Sequence, residues 1–227
     1  MYNDFYVGEN SDIVIVAGCG VHTDSHETAR HNGIHRFFLS KNAHVVYKEK
    51  HIGTGTGDGN RSIDPVTEAF LEEGAVLEIE SVQIKGVDST RRKTKAAVGK
   101  DAKLIIRESL MTDGEQTADT EFEVELNGEN SGADIVSRSV AKGNSKQNYR
   151  SRIIGNAACT GHSECDAIIA DKATVNAAPE LTAANPDAQL IHEAAIGKIA
   201  GEQILKLMTL GLTEEEAENK IIEGFLR

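Results

Sequence analysis

A cysteine and a histidine–glutamate pair stand shortly before the clearest helical pattern in this chain. They read Ser163-Glu164-Cys165-Asp166 and Ile191-His192-Glu193-Ala194-Ala195. Thiolate, imidazole and carboxylate are the side chains that hold iron or zinc. Each also has a plain reading. A lone cysteine is most often a small buried side chain, and His192-Glu193 alone reads as an exposed pair entering a helix. What makes Cys165, His192 and Glu193 a candidate metal site is spacing. Cys165 precedes His192 by 27 residues, close to the length of a repeat that runs through the chain. If that repeat is one coil of a solenoid, it returns the chain to the same lateral position one layer up, about 4.8 Å away. Six of the eight histidines fall between His22 and His51. The spacing of His22, His26, His31 and His35 would suit zinc on a helix. Gly20, Asn32 and Gly33 oppose a helix there, and His31–Phe38 reads as turn and strand.

The elements that must position these residues follow from periodicity. From about Asp12 to Gln189 the dominant period is two, as in Val76–Ile84 and Thr120–Leu126. That pattern puts one set of side chains in a core and the other in water. A polar residue or glycine, then alanine, then an apolar run recurs at Ala43, Ala75, Ala102, Ala133, Ala157 and Ala188, with spacings of 32, 27, 31, 24 and 31. One small residue per corner and a period near 30 point to a β-helix. A β-sandwich with coincidental spacing is the alternative. Aromatic residues make up only 4% of the chain, which also suits stacked strands of small side chains. Asp64-Pro65 reads as the N-cap and first residue of a short helix reaching Glu72, after a loop over Gly53–Gly59.

The C-terminus changes period. Ile196, Ile199, Ala200, Gln203, Ile204, Leu207 and Met208 fall on one helical face. Gly211 can end that helix in a left-handed conformation. Thr213-Glu214-Glu215-Glu216 reads as a capping box for a second helix that buries Ala217, Ile221 and Phe225. The expected division is a β-helix core domain over 1–190 and a helical subdomain over 191–227.

Bulk properties narrow the partners. A chain of 227 residues, 39% hydrophobic and 26% charged, has enough material for a core. Its net charge of −12 argues against nucleic acid or an anionic membrane surface as main partner. The acidic start, Met1-Tyr2-Asn3-Asp4-Phe5, is unlike a signal peptide, and no apolar run approaches the ~20 residues of a membrane span. Three cysteines form no paired framework, so a cytoplasmic setting is expected.

Several motif fragments fall short. Ile13–Gly20 has the strand and glycine turn of a dinucleotide site, but Thr23 stands where the third glycine should be. Gly53–Arg61 lacks the Gly-Lys-Ser/Thr ending of a phosphate loop, and Asp58 would repel phosphate. Gly161-His162-Ser163-Glu164-Cys165 lacks the final glycine of a hydrolase elbow.

Two longer stretches carry a family resemblance. His192–Ile199, Glu202-Gln203-Ile204, Gly211–Ala217 and Ile222–Phe225 resemble the C-terminal signature of the SufB/SufD proteins of the SUF iron–sulfur cluster assembly machinery. Cys159–Asp171 is similar to the stretch that holds the SufB scaffold cysteine, and Gly18–His22 through His31–Phe37 also looks like this family. The resemblance implies a right-handed parallel β-helix with a C-terminal helical subdomain. It implies pairing with a second copy or a SufB/SufD paralogue, and docking of the C-terminal helices on a SufC-type ABC ATPase. It implies a scaffold, not an enzyme, carrying a transient iron–sulfur cluster between a sulfur donor and acceptor proteins, with ATP hydrolysis left to the partner. By motif match Cys165 takes the place of the scaffold cysteine, Glu193 that of a carboxylate ligand and His192 that of a ligating histidine. Thiolate mixed with imidazole and carboxylate makes a labile cluster site suited to transfer. The chain looks like a minimal form of the family, and Ile191 stands where SufB-like members often carry another acid. An architectural, ATPase-docking subunit without a cluster is the alternative that the resemblance leaves open, although Cys165 would then have no purpose. A β-helix enzyme acting on polysaccharide is a third reading, opposed by the scarcity of aromatic residues.

Overall fold

A computed structural model describes residues 1–227. The strands, in chain order, are β1 (Tyr2–Val7), β2 (Asp12–His22), β3 (Ala29–His31), β4 (Ile34–Leu39), β5 (His44–Thr54), β6 (Arg61–Ile63), β7 (Val66–Leu71) and β8 (Val76–Lys85). They continue as β9 (Ser89–Val98), β10 (Lys103–Thr112), β11 (Thr117–Leu126), β12 (Gly132–Ala141), β13 (Lys146–Gly155), β14 (Thr160–Ile169), β15 (Thr174–Ala183) and β16 (Gln189–Gly197). Helices α1 (Gly201–Met208) and α2 (Glu214–Phe225) follow.

All pairing is parallel, in two facing sheets. One runs β1-β4-β7-β9-β11-β13-β15, with β3 and β6 at its side; the other runs β2-β5-β8-β10-β12-β14-β16. The chain alternates between the sheets, so it winds a β-solenoid of seven stacked coils, as the alternation and repeat predict. Inward residues of both sheets form one core running the length of the stack, including Phe37, Val45, Leu77, Leu104, Ile135 and Ile153.

The corners explain the repeat and correct its phase. Each strand of the second sheet after β2 begins with an amide donating to the residue one coil back. His44 N donates to Ser11 O, Val76 N to Ala43 O, Lys103 N to Ala75 O, Gly132 N to Ala102 O, Thr160 N to Ser131 O and Gln189 N to Cys159 O. The corner column is therefore Ser11, Ala43, Ala75, Ala102, Ser131, Cys159 and Ala188, not Ala133 and Ala157. Small side chains are required there because successive corners stack at strand spacing. The residue ahead of the column is left-handed, at Asn10, Asn42, Gly74, Asp101 and Asn130; asparagine, aspartate and glycine tolerate that conformation best. The side chains form a ladder, with Asn42 donating to Asn10 at 3.2 Å and Asn130 to Asp101 at 3.0 Å.

Two local expectations fail. Residues 66–71 form strand β7, not a helix, because Thr67, Ala69 and Leu71 fill inward positions between β4 and β9. Strand β16 runs to Gly197, so His192, Glu193 and Ile196 belong to the last coil and α1 starts only at Gly201.

Helix α2 packs across the outer face of the second sheet, where Ile222 and Leu226 cluster with Val140, Met111 and Ile168. Ile222 is buried where Ile221 was expected. Ser109 Oγ donates to Leu226 O at 2.8 Å, and Lys142 pairs with Glu218 at 2.9 Å. The capping box forms as the sequence predicts: Thr213 Oγ1 accepts from Glu216 N, and Glu216 Oε2 accepts from Thr213 N. Thr213→Ala is expected to destabilise α2 by about 1 kcal/mol, measured as faster amide exchange confined to that helix. Helix α1 buries no residue; Leu205 is exposed, as is Leu210 just beyond the helix end.

Candidate functional site

Cys165 lies on β14, the sixth strand of the second sheet, and His192 and Glu193 lie on β16, the last. Alternation decides which way each points. Ser163 and Cys165 face inward and are buried, while His162, Glu164 and Asp166 face out. In register, Ser163 sits opposite His192, Glu164 opposite Glu193, and Cys165 opposite Ala194. Cys165 and His192 therefore share the inner face on neighbouring strands, offset by two residues. Glu193 is on the outer face. One subunit brings the thiol and the imidazole to the same side and places the carboxylate across the sheet from them.

The inner side is polar for a solenoid core. Ser137, the register neighbour of Cys165 on β12, donates to Glu108 Oε2 at 2.7 Å. Glu108 also pairs with Arg92 at 3.3 Å, and both are buried. Tyr149 Oη and Ser163 Oγ are 2.9 Å apart, and Ser163 donates to Ser151 at 2.9 Å. Burial, with the charges of Glu108 and Asp166 added, pushes the Cys165 thiol up to about 12. The free thiol is thus held protonated until a cation replaces the proton. His192 Nδ1 is shielded from water and makes no hydrogen bond. Burial holds its imidazole below the usual range, against the raising effects of the Ser163 backbone and the charge of Glu193. A neutral imidazole is the form that ligates metals.

The outer side is a second donor group that sequence reasoning missed. His162, Glu164 and Glu193 place one ligand atom each within 4.8 Å of one another. His162 Nδ1 is 2.8 Å from Asp134 Oδ1, which fixes the ring, and its Nε2 is 3.9 Å from Glu193. Asp134 is further held by Arg107. Glu164 is raised by burial and by Asp166 beside it. The signal was present: alternation along Gly161–Asp166 sets His162 and Glu164 on the face opposite Cys165, and a coil of 29 residues sets them beside Glu193.

Both groups occupy the end of the stack. Strand β16 pairs only with β14, and most residues of β15 and β16 are exposed on both parities. The terminal coil thus leaves an open sheet edge, with Ile191 57% exposed beside His192.

Residues 4–225 match the family described as "SUF system FeS cluster assembly, SufBD core domain". The chain belongs to the SufBD family. It is 34% identical, along its full length, to an iron–sulfur cluster assembly SufBD family protein of Archaeoglobus fulgidus, of which it covers 60%. A Methanothermobacter thermautotrophicus relative with the same description is 30% identical over 99% of the chain and 54% of its own length. A third, from Methanocaldococcus jannaschii, is 30% identical over 96% of the chain and 68% of its own length. The chain thus spans between about half and two thirds of these curated relatives. No helix of this SufBD chain is long and apolar enough to cross a membrane.

The buried thiols of this SufBD chain give a testable pH dependence. A raised pKa means that the folded state holds the proton longer than the unfolded chain does. Stability from Cys165 is then fully present below pH 9 and lost as pH rises towards about 12. Melting temperature of the reduced, metal-free protein is expected to fall across that window, and Cys165→Ser to flatten the fall.

Proposed function

We propose that the chain is a scaffold subunit on which an iron–sulfur cluster is built and from which it is passed on. It works as a dimer, with itself or a SufB/SufD paralogue, and with a SufC-type ABC ATPase docked on the C-terminal helices. The observation that carries the reading is the placement of Cys165 and His192 on the inner face, and Glu193 on the outer face, of β14 and β16, the last two strands of the second sheet, of which β16 is the unpaired edge. Such a site is completed by a second chain. The cluster is cargo: it arrives as iron and sulfur from a donor and leaves to an acceptor protein. Cys165 supplies the thiolate, shedding its proton when iron binds. His192 supplies a neutral nitrogen, and Glu193 a weaker oxygen donor that favours release. ATP hydrolysis belongs to the partner, which the uncovered apolar residues at and just past α1, including Leu205 and Leu210, would seat. The setting is the cytoplasm, consistent with free thiols.

A second reading is favoured by one observation: Cys165 is only 2% exposed. A subunit that docks the ATPase and holds no cluster would not need it in reach. Anaerobic reconstitution with iron and sulfide separates the two. The scaffold predicts sulfur-to-iron absorption that Cys165→Ala abolishes and His192→Ala weakens. Spectra unchanged by both substitutions would leave the docking subunit.

A further inference from the structure

At the opposite end of the solenoid a second donor group lies inside the barrel of coils. Alternation along β5 turns Tyr47, Glu49 and His51 inward. Cys19 on β2 is the register partner of His51, one coil below. His35 on β4 enters from the facing sheet. The side chains of His35, Glu49 and His51 are 3%, 5% and 0% exposed. All of them converge on one atom. Glu49 Oε1 is 3.6 Å from Cys19 Sγ, 3.3 Å from His51 Nε2 and 3.6 Å from His35 Nε2. These nitrogen–oxygen separations are too long for good hydrogen bonds, and the two ring nitrogens have no hydrogen-bond partner at all. Cys19, Glu49 and His51 place one ligand atom each within 4.8 Å of one another. The 3.3 Å and 3.6 Å separations of His51 Nε2 and Cys19 Sγ from Glu49 Oε1 match neighbouring ligands on a tetrahedral ion, which metal–ligand bonds of about 2.0–2.3 Å put roughly 3.3–3.6 Å apart.

We propose that Cys19, Glu49 and His51 form a three-residue mononuclear site for a divalent transition ion of the zinc or iron(II) class, with the fourth position open. Charge supports it. Within ion-pair distance buried Glu49 has no lysine or arginine, only the rings of His35 and His51. A dication with one thiolate, one carboxylate and one neutral imidazole is electrically neutral, which a dry interior tolerates. Outer partners aim the ligands, as in metal sites generally. Tyr47 donates to Glu49 at 3.0 Å; Asn3 Nδ2 donates to His35 Nδ1 at 3.1 Å, which leaves His35 Nε2–H as a donor towards Glu49 and not a ligand. His31 lies beside the group with its own Nε2 unpartnered. A Cβ on Gly33 would stand 2.8 Å from His35 Nε2 and 3.2 Å from His31 Nε2, so this glycine keeps the approach open. The site shares no residue with Cys165, His192 or Glu193.

The test uses the full chain, stripped of metal under anaerobic conditions and titrated with Co²⁺. Expected is one equivalent bound, with visible bands of tetrahedral cobalt and a near-ultraviolet thiolate-to-cobalt band. Cys19→Ser should remove the thiolate band, and His51→Gln should weaken binding at least tenfold. The double variant Cys159→Ser/Cys165→Ser should keep both; serine is already accepted at the Cys159 corner position, at Ser131 one coil back. A thiolate band that survives Cys19→Ser, or that the double variant loses, overturns the proposal, as does the absence of binding. Should Cys19→Ser not fold, X-ray absorption of the Zn²⁺-loaded double variant decides. One sulfur with imidazole nitrogen supports the site, and a first shell without sulfur refutes it.

Discussion

Arg92→Met is expected to lower unfolding stability by about 3–5 kcal/mol, because it leaves a buried carboxylate without its counter-charge. Arg92 and Glu108 are 7% and 3% exposed and sit in the middle of the stack, on facing sheets. The guanidinium bridges Glu108 and Ser81, while Glu108 also accepts from Ser137 and is 3.5 Å from Thr120 Oγ1. Hydroxyl donors alone do not replace a cation at that depth, so Glu108 must either take up a proton or admit water. The double variant Arg92→Met/Glu108→Met should recover most of the loss, since apolar side chains of similar volume commonly match or exceed a buried pair. Urea unfolding of the three chains, compared by midpoint with equal slopes, measures both effects. A single-variant cost under 1 kcal/mol would mean that water reaches the pair from the coil interior.

That buried polar row was also what the sequence concealed. Strands such as Val76–Ile84 announce themselves because inward positions are apolar and outward ones polar. On β9 and β12 the inward residues include Thr90, Arg92, Ser137 and Ser139, so hydropathy no longer marks the face. The corner column was legible at Ala43, Ala75 and Ala102, where the small residue is alanine. At Ser131 and Cys159 the same steric need is met by residues that look polar or reactive, and nearby alanines drew the repeat out of phase. The consequence reached the site. A 27-residue coil puts His192 opposite Cys165, whereas the 29-residue coil of the structure puts Ser163 opposite His192 and moves Cys165 to Ala194. Thr213–Glu216 was read correctly because a capping box is a local contact that needs nothing from the fold. Asp64-Pro65 failed for the converse reason: a local helix start was overruled by pairing of Val66–Leu71 on both sides.

Strand alternation at the last coil bears on assembly. Because Cys165 and Glu193 face opposite sides of one sheet, no cluster within a single chain uses both. The open edge of β16 is where a second chain would bring its own donors, and Ile191, 57% exposed, lies on that strand's outer face next to His192. An unpaired edge bearing apolar residues invites pairing with another strand, and a lysine there discourages it. If the proposed dimer forms across this edge, Ile191→Lys should convert it to monomer in light scattering at micromolar concentration. It leaves Cys165, His192 and Glu193 intact, and as an exposed substitution it should change stability by no more than ~0.5 kcal/mol. Iron and sulfide retained per chain after anaerobic reconstitution should fall in parallel, at least tenfold. Retention by a chain that has become monomeric would show that Cys165 and His192 suffice alone and that the outer carboxylate plays no part. A variant that stays dimeric and loaded would place the subunit contact on another face of the solenoid.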